Sequence, residues 1–205
     1  MSQKKKQAYT EDKIKTLSSL EHIRLRTGMY IGRTGSGAHY DDGIYILVKE
    51  VIDNGIDEFI MGHGERINVS IEEDMVTIRD FGRGIPLGKV VDCVSKINTG
   101  AKYNDDVFQF SVGLNGVGTK AVNALSTYFL VRSHREGEFV EAEFEGGNLV
   151  REEKGETDEP NGTLVSFSPD PAIFKKFAFN PEHLARRLRF YAYLNAKLKI
   201  WFNGE

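Results

Sequence analysis

The clearest apolar repeat in the chain lies within residues 44–60. Apolar residues recur there at intervals of three and four, which is the spacing of one face of an α-helix, and Gly62 and Gly64 follow as helix-ending residues. The repeat consists of Ile44, Leu47, Val48, Val51, Ile52 and Phe59. The pattern therefore predicts an amphipathic helix of about five turns over residues 44–60.

Three shorter helices are predicted from start and stop signals. Ser18 with Glu21 three residues later is typical of a capping box, so a helix is expected over residues 18–26, ended by Gly28. A second begins after a glycine cluster and covers residues 119–125, and a third covers residues 181–193. These helices are few, and the stretches between them have apolar residues that recur at a different spacing.

Those intervening stretches have the pattern of β-strands. Residues 67–71 and 75–80 are predicted to pair through the turn 72–74, and further strands are expected at 129–133, 139–144, 163–168 and 199–202. In the segment 139–144, apolar residues alternate with glutamates, which predicts a strand with one exposed face. The alternating residues are Val140, Ala142 and Phe144 against Glu141, Glu143 and Glu145.

Few helices and many hairpin-linked strands predict an α+β fold, with a mixed, mostly antiparallel sheet covered by helices on one face. Residues 1–12 are polar, rich in lysine and aperiodic, so we expect a flexible N-terminal arm. Neither an internal repeat nor a low-complexity linker divides the remainder, so residues 13–205 are predicted to form one domain.

Composition narrows the class of protein. The chain has 205 residues, a formal net charge of −3 and a single cysteine, Cys93, which excludes an internal disulfide. Its apolar runs are far shorter than the ~20 residues of a membrane helix, so we expect no membrane partner. The single cysteine suits a reducing compartment, and the positively charged residues 1–6 are not followed by the apolar core of a secretory signal, so we expect a cytoplasmic location. A negative net charge argues against a nucleic-acid clamp. The favoured interpretation of the five basic residues within 183–199 is a solvated surface, and the alternative is that they approach DNA in a larger assembly.

Four polar residues of the long predicted helix fall within an arc of about 100° opposite its apolar face. They are Glu50, Asp53, Asn54 and Asp57. From their spacing alone, the favoured interpretation is an ordinary acidic helix surface. The alternative is a cation site, because the amide oxygen of Asn54 is a ligand for hard cations.

A second candidate site follows the predicted strand 75–80. Asp80 shares a face with Val76 and Ile78, so its carboxylate is expected to point toward the apolar side and to need a hydrogen-bond donor there. Gly82 and Gly84 then allow the backbone to pass close to that donor. The alternative is that Asp80 only bonds the amides of its own loop.

A third candidate is the glycine-rich stretch at residues 113–118 before the helix 119–125. Backbone N–H groups at the start of a helix favour an anion. The spacing is the reverse of a dinucleotide-binding fingerprint, and the order Gly118-Thr119-Lys120 differs from a Walker A loop, which leaves a P-loop ATPase as a distant alternative.

The order of these motifs resembles the GHKL ATPases, and within them the B subunits of bacterial gyrase and topoisomerase IV. The resemblance spans residues 17–202 and rests on four separated stretches, at 20–32, 50–58, 82–86 and 113–126. It implies the Bergerat fold, a two-layer α/β sandwich, with ATP and Mg²⁺ as cofactors. Alternatives are a histidine-kinase catalytic domain and a non-catalytic nucleotide-sensing module in which Glu50 is only a surface acid.

The resemblance also implies roles for individual residues. Glu50 corresponds to the general base that activates water, and Asn54 to the magnesium ligand. Asp80 corresponds to the acceptor for the adenine amine, with Thr163 joined to it through a water molecule. The remaining implied nucleotide-binding residues are Glu58, Arg83, Gly84, Ile85, Pro86, Lys102, Gly113, Leu114, Asn115, Gly116, Val117, Gly118 and Arg135.

Within that set, each part of the pocket has an implied role. Arg83 is expected to cover the purine and to pair with Glu58, while Ile85 and Pro86 line the purine slot. Residues 113–118 would cradle phosphate through backbone N–H groups, with Lys102 in the lid. Arg135 lies at the pocket mouth, where ATP-competitive inhibitors are expected to bind.

The sequence departs from the family pattern in two places. Where the family carries a His-His pair before the catalytic glutamate, this chain has Ile44-Tyr45-Ile46, so no histidine supports Glu50. The lid is short, and Phe108 and Gln109 replace a polar pair. Asn115 and the short lid favour topoisomerase IV slightly over gyrase.

The partners that the resemblance implies lie outside this chain. They are a topoisomerase A-type subunit and DNA in the full enzyme, with a homodimer formed through a transducer region that follows Glu205. We expect the 205-residue fragment alone to be monomeric and to hydrolyse ATP slowly.

Overall fold

The computed structural model describes residues 17–97, 99 and 116–205. In this part of the chain the helices are α1 (Ser19–Leu25), α2 (Gly28–Ile31), α3 (Gly43–Ile60), α4 (Val90–Ser95), α5 (Gly118–Ala124), α6 (Pro171–Phe174) and α7 (Pro181–Leu194). The strands are β1 (Arg66–Glu72), β2 (Met75–Asp80), β3 (Ser126–Arg135), β4 (Glu138–Glu145), β5 (Asn148–Glu156), β6 (Gly162–Pro169) and β7 (Lys199–Phe202).

These strands form one seven-stranded sheet in the order β5-β4-β3-β6-β2-β1-β7. Neighbouring strands are antiparallel except β1 and β7, which are parallel, so the predicted mixed and mostly antiparallel sheet is confirmed. The antiparallel pairing of β2 with β6 sets Arg79 opposite Leu164. It therefore brings the end of β2 beside the start of β6, where Asp80 and Thr163 meet.

The helices cover one face of the sheet. Apolar residues on that face are buried on five central strands, among them Ile67, Val69, Val76, Ile78, Phe129, Val131, Val140, Ala142, Phe144, Val165 and Phe167. They pack against buried residues of α3, α5 and α1. Burial of this apolar surface is the main favourable contribution to folding, and it fixes α3 and α5 side by side over the sheet.

Most predicted elements are confirmed, and the Ser18–Glu21 capping box is formed as expected. Gly28, predicted to stop the first helix, instead begins α2, because α1 has already ended at Arg26. Strand β5 was not predicted. All of its residues are exposed, so its sequence lacks the alternation that marks a half-buried strand.

The prediction of an exposed glutamate face on β4 is wrong at Glu141, which is buried. Arg132 of β3 donates to one of its carboxylate oxygens at 2.6 Å, and Arg151 of β5 donates to the other at 2.6 Å. The two neighbouring strands therefore enclose the carboxylate between two guanidinium groups. The proposed division into an arm and one domain stays a prediction, since residues 1–16 lie outside the described residues.

Candidate functional site

The polar face of α3 is turned inward, which contradicts its interpretation as an acidic surface. Asp53 and Asp57 are 1% and 0% exposed. Asp53 accepts hydrogen bonds from Lys49 Nζ at 2.5 Å and from Tyr191 Oη of α7 at 2.6 Å. A buried carboxylate needs such donors, so α7 and the Lys49 side chain are what allow this acid to lie inside.

Glu50 lies one turn before Asn54 on the same helix and remains partly exposed, at 28% of its side chain. Its carboxylate faces the start of α5: a Cβ added to Gly118 would be only 2.1 Å from Glu50 Oε2. Lys49 Nζ is 3.8 Å from the other carboxylate oxygen. The glutamate therefore lies against the glycine that begins α5, close to the backbone N–H groups expected to bind phosphate.

Asn54 also faces α5. Its amide Nδ2 donates to Thr119 Oγ1 at 2.9 Å, across 65 positions of sequence. Thus two polar residues of α3, spaced four apart, contact two successive residues of α5. The spacing predicted that Glu50 and Asn54 share a helix face, and the structure brings that face to the glycine-rich loop.

Asp80 has the inward position that its strand pattern predicted. Its Oδ1 accepts hydrogen bonds from the backbone N–H groups of Gly82 at 2.9 Å and Thr163 at 3.2 Å. Burial raises the pKa of this carboxyl to about 6, although both amide bonds and the nearby Arg79 act in the opposite direction. Thr163 thus reaches Asp80 directly through its backbone, and the predicted water bridge stays a prediction.

The loop after β2 is held to α3 by Arg83 and Glu58, which pair as expected. Arg83 Nε and Nη2 donate to the two carboxylate oxygens at 3.0 and 2.9 Å, and the Arg83 backbone N–H donates as well at 2.9 Å. Hydrogen bonding to Glu58 raises the pKa of Arg83. This bidentate geometry fixes the guanidinium plane, which suits a group that lies over a flat ring.

The same loop passes close to the end of β3. Gly84 has φ of +78°, and a Cβ there would lie 2.5 Å from the carbonyl oxygen of His134, so both conformation and space require glycine. Ser133 Oγ donates to the Ile85 carbonyl at 2.7 Å, and Arg135 Nη1 contacts the Gly84 carbonyl at 3.4 Å. Arg135 is thereby placed beside the loop, as a pocket-mouth residue would be.

The two residues predicted to line the purine slot differ in how deeply they are buried. Ile85 is partly buried against the core, whereas Pro86 is exposed. Gly116 and Val117 directly precede α5, and Gly118 begins it. Lys102, Gly113, Leu114 and Asn115, with the replacements Phe108 and Gln109, lie outside the described residues.

Comparison with known proteins identifies the family. Residues 39–173, about two thirds of the chain, match the model of the histidine kinase-, DNA gyrase B-, and HSP90-like ATPases. The chain belongs to this ATPase family. The matched range contains α3, the end of β2, the start of α5 and the start of β6, so the clustered residues lie on segments that the family shares.

Individual relatives within the ATPase family are type II topoisomerase subunits. The chain is 60% identical over 201 residues to the B subunit of DNA topoisomerase 4 from Borreliella burgdorferi, covering 98% of this chain and 34% of the relative. It is 42% identical over 214 residues to the B subunit of DNA gyrase from Thermotoga maritima, covering 96% and 32%. The chain thus spans about a third of the length of the curated relatives it matches.

The fold is also that of a solved member. The 43K ATPase domain of Thermus thermophilus gyrase B, determined in complex with an aminocoumarin, superposes with a TM-score of 0.75. The sequences are 33% identical, and the match covers 92% of this chain and 50% of that one. The α+β fold predicted from the sequence is therefore confirmed as the gyrase B ATPase fold.

Several residues that shape this ATPase site were not predicted. Lys120 is buried, and its Nζ donates to the carbonyls of Gly116 at 2.5 Å and Thr99 at 2.6 Å. Thr119 and Tyr191 contact Asn54 and Asp53. Apart from the contact between Lys120 and Gly116, which are four residues apart, these contacts join residues at least 21 positions apart in sequence, so helical periodicity carried no signal for them.

The residues around Asn54 suit a cation that arrives with the nucleotide. Within residues 17–97, 99 and 116–205, no group of three or more His, Cys, Asp or Glu is arranged to hold a metal ion. Mg²⁺ commonly takes only one or two protein ligands and completes its shell with phosphate and water. A single amide oxygen at Asn54 fits that mode.

Within residues 17–97, 99 and 116–205, no helix is both long and apolar enough to cross a membrane.

Proposed function

We propose that this chain is the ATP-binding and ATP-hydrolysing domain of the B-type component of a bacterial type II topoisomerase. The observation that carries the proposal is the contact between Glu50 and Gly118, which sets a carboxylate against the start of α5. A general base for phosphoryl transfer to water must lie beside the phosphate-binding backbone. The family membership and the topoisomerase relatives support the same function.

In the proposed reaction, Asp80 accepts a hydrogen bond from the exocyclic amine of adenine, and Arg83 lies over the purine. Backbone N–H groups before and at the start of α5 bind the phosphates. Glu50 orients a water molecule and accepts its proton as the oxygen attacks the γ-phosphorus and the bond to the ADP oxygen breaks. Mg²⁺, held by Asn54, would offset the charge of the phosphate oxygens.

We favour topoisomerase IV over gyrase as the parent enzyme. The topoisomerase 4 relative is 60% identical, whereas the gyrase relative is 42% identical. On this proposal the full enzyme acts with an A-type subunit on DNA in the cytoplasm, and dimerises through a transducer region. The aminocoumarin in the solved relative supports the further proposal that this pocket, with Arg135 at its mouth, binds ATP-competitive inhibitors.

Titration calorimetry of the 205-residue chain with a non-hydrolysable ATP analogue and Mg²⁺, beside the Asp80→Asn variant, tests the proposal. We expect saturable binding that the variant weakens by about tenfold or more, because an amide can present a donor toward the adenine amine. Lys96→Ala is the control, since the Lys96 side chain is 67% exposed and pairs with Asp92. Equal affinities for Asp80→Asn and the unchanged chain would refute the placement of adenine at Asp80.

A further inference from the structure

The carboxylate of Asp80 has one oxygen left for a ligand. Its Oδ1 accepts the backbone N–H groups of Gly82 and Thr163, whereas its Oδ2 accepts no hydrogen bond from residues 17–97, 99 and 116–205. The adenine amine proposed to bind here would therefore meet Oδ2, and the contacts of Oδ1 set the direction of that oxygen. Recognition of adenine then depends on how the end of β2 is held to the start of β6, where Thr163 lies.

The backbone ladder between β2 and β6 stops just before this point. The last paired residues are Arg79 and Leu164, so Asp80 and Thr163 lie one position beyond the ladder. The segment before β6 nevertheless passes close to the end of β2, because a Cβ added to Gly162 would collide with the carbonyl oxygen of Asp80. The two strand ends therefore need a further link at the place where their main-chain pairing ends.

The side chain of Arg79 bridges the two strand ends. Because Arg79 precedes Asp80 on β2, its side chain lies on the opposite face of the sheet from the Asp80 carboxylate, and it is buried there. Its Nη1 donates to the carbonyl oxygen of Asp80 and its Nη2 donates to that of Pro160, each at 2.5 Å. A guanidinium group only donates and a carbonyl group only accepts, so the direction of both bonds is unambiguous.

An aromatic ring also contacts this guanidinium group. Arg79 Cζ lies 4.8 Å from the centroid of the Phe81 ring, in the turn that follows Asp80. A planar group with two fixed donors that also lies over a ring has little freedom to turn. Arg79 thus contacts the main chain of Asp80, the turn after it and the loop before β6 at the same time.

We propose that Arg79 is a positioning residue for adenine recognition, which fixes the end of β2 against the start of β6 and so directs Asp80 Oδ2 at the adenine amine. The inference rests on the proposed function, in which Asp80 accepts that amine. Since its side chain lies on the opposite face of the sheet, Arg79 acts through Asp80 and not by contact with the nucleotide. A displaced acceptor weakens only the binding of a base that donates to it, so the role of Arg79 lies in selectivity.

The test compares two nucleotides that differ in the group facing Asp80. Hypoxanthine carries a carbonyl oxygen where adenine carries its amine, so the affinities of a non-hydrolysable ATP analogue and of its inosine counterpart, measured by calorimetry with Mg²⁺, give the adenine selectivity. We expect Arg79→Met to reduce this selectivity by about fivefold or more and to change the affinity for the inosine analogue by less than about twofold. In an Asp80→Asn background, Arg79→Met should reduce the selectivity much less, because the acceptor that Arg79 positions is already absent.

Arg66→Met is the matched control. Arg66 is exposed and lies over the same Phe81 ring, with its Cζ atom 3.8 Å from the ring centroid. This variant removes the same charge and a stacked guanidinium group but leaves both carbonyl bonds of Arg79 in place. Its adenine selectivity should therefore stay within about twofold of that of the unchanged chain. If Arg79→Met fails to fold by circular dichroism, the shorter Arg79→Gln takes its place in the same measurement.

Each other outcome counts against a defined part of the proposal. Undiminished selectivity in Arg79→Met overturns the positioning role, and so does an equal loss of affinity for both analogues, which would show a general disturbance of the pocket. An equal loss of selectivity in Arg66→Met would assign the effect to charge or stacking and not to the carbonyl bridge. If the unchanged chain binds both analogues equally, adenine is not read at Asp80, and this inference fails while nucleotide binding stands. If the unchanged chain binds neither analogue, the proposed function itself fails.

Discussion

Glu50 and Gly118 are in such close contact that the glycine cannot acquire a side chain without moving the glutamate. A Cβ at Gly118 would lie 2.1 Å from Glu50 Oε2 and 3.2 Å from Glu50 Cβ. Gly118 begins a helix and does not have a positive φ, so the constraint is steric and not conformational. The requirement for glycine here comes from the proposed catalytic residue.

We therefore expect Gly118→Ala to reduce ATP turnover by about 100-fold, because the Glu50 carboxylate must move by about an ångström or more. Alanine favours helix, so the melting temperature should change little. Steady-state hydrolysis and thermal denaturation measure the two effects. Gly28→Ala is the control, since a Cβ there meets no described atom within 4 Å. Unchanged turnover in Gly118→Ala would show that the Glu50 carboxylate can leave this position freely.

Removal of the proposed base should separate binding from chemistry. Glu50→Ala is expected to bind a non-hydrolysable ATP analogue about as well as the unchanged chain and to lose measurable hydrolysis, because the carboxylate acts on water and not on the nucleotide. Calorimetry and phosphate release measure the two quantities. The exposed Glu138 provides the control variant, Glu138→Ala. Retained turnover in Glu50→Ala would exclude the assigned role.

The sequence predicted those features of the site that depend on the local spacing of apolar and polar residues. The helical repeat placed Glu50 and Asn54 on one face of α3, and strand alternation placed the Asp80 carboxylate inward. The sequence could not predict that Asp53 is buried, because its burial depends on Lys49 and on a residue of α7 that lies 138 positions away. Strand β5 was missed since its side chains are all exposed and its pairing with β4 leaves no periodic signal.

The titration of Asp80 predicts a pH dependence of adenine binding. Because burial raises the pKa of Asp80 to about 6, the carboxylate acceptor is lost as the pH falls through 6, and nucleotide affinity should fall by up to about tenfold per pH unit below it. Calorimetry between pH about 5 and about 8 measures this. The phosphate groups of the nucleotide also titrate in this pH range, and they affect binding to the unchanged chain and to Asp80→Asn equally. The difference between the two pH profiles therefore isolates the contribution of Asp80. Parallel profiles would contradict the prediction.

The same pKa shift affects stability in the opposite direction: a falling pH weakens nucleotide binding but stabilises the folded chain. The folded-state pKa of Asp80 lies above its unfolded value of about 4, so the folded state binds the proton more strongly. Its contribution to the free energy of unfolding therefore becomes more favourable as the pH falls from above 6 to about 4. Urea denaturation of the unchanged chain and Asp80→Asn across this range should show the difference. A carboxyl retained at a cost to stability is typical of a residue kept for binding.

The contact between Tyr191 and Asp53 predicts a loss of stability when the hydroxyl is removed. Tyr191 Oη donates to the buried Asp53 carboxylate at 2.6 Å, and burial together with this carboxylate raises the pKa of Tyr191 above its ordinary range. Tyr191→Phe keeps the ring but leaves the charged acceptor with one donor fewer. We expect the free energy of unfolding to fall by about 1–3 kcal/mol at neutral pH.

Tyr193 provides a matched control on the same helix, because its side chain is 84% exposed. Urea denaturation of Tyr191→Phe and Tyr193→Phe should therefore show a difference in midpoint, with Tyr193→Phe close to the unchanged chain. The raised pKa also has a defined sign: above pH about 10 the unfolded chain releases the Tyr191 proton first, so stability is lost there, and Tyr191→Phe should remove that part of the loss. Equal midpoints for the two variants would mean that water replaces the Tyr191 hydroxyl at Asp53 without cost, and that α7 is held to α3 by its apolar contacts alone.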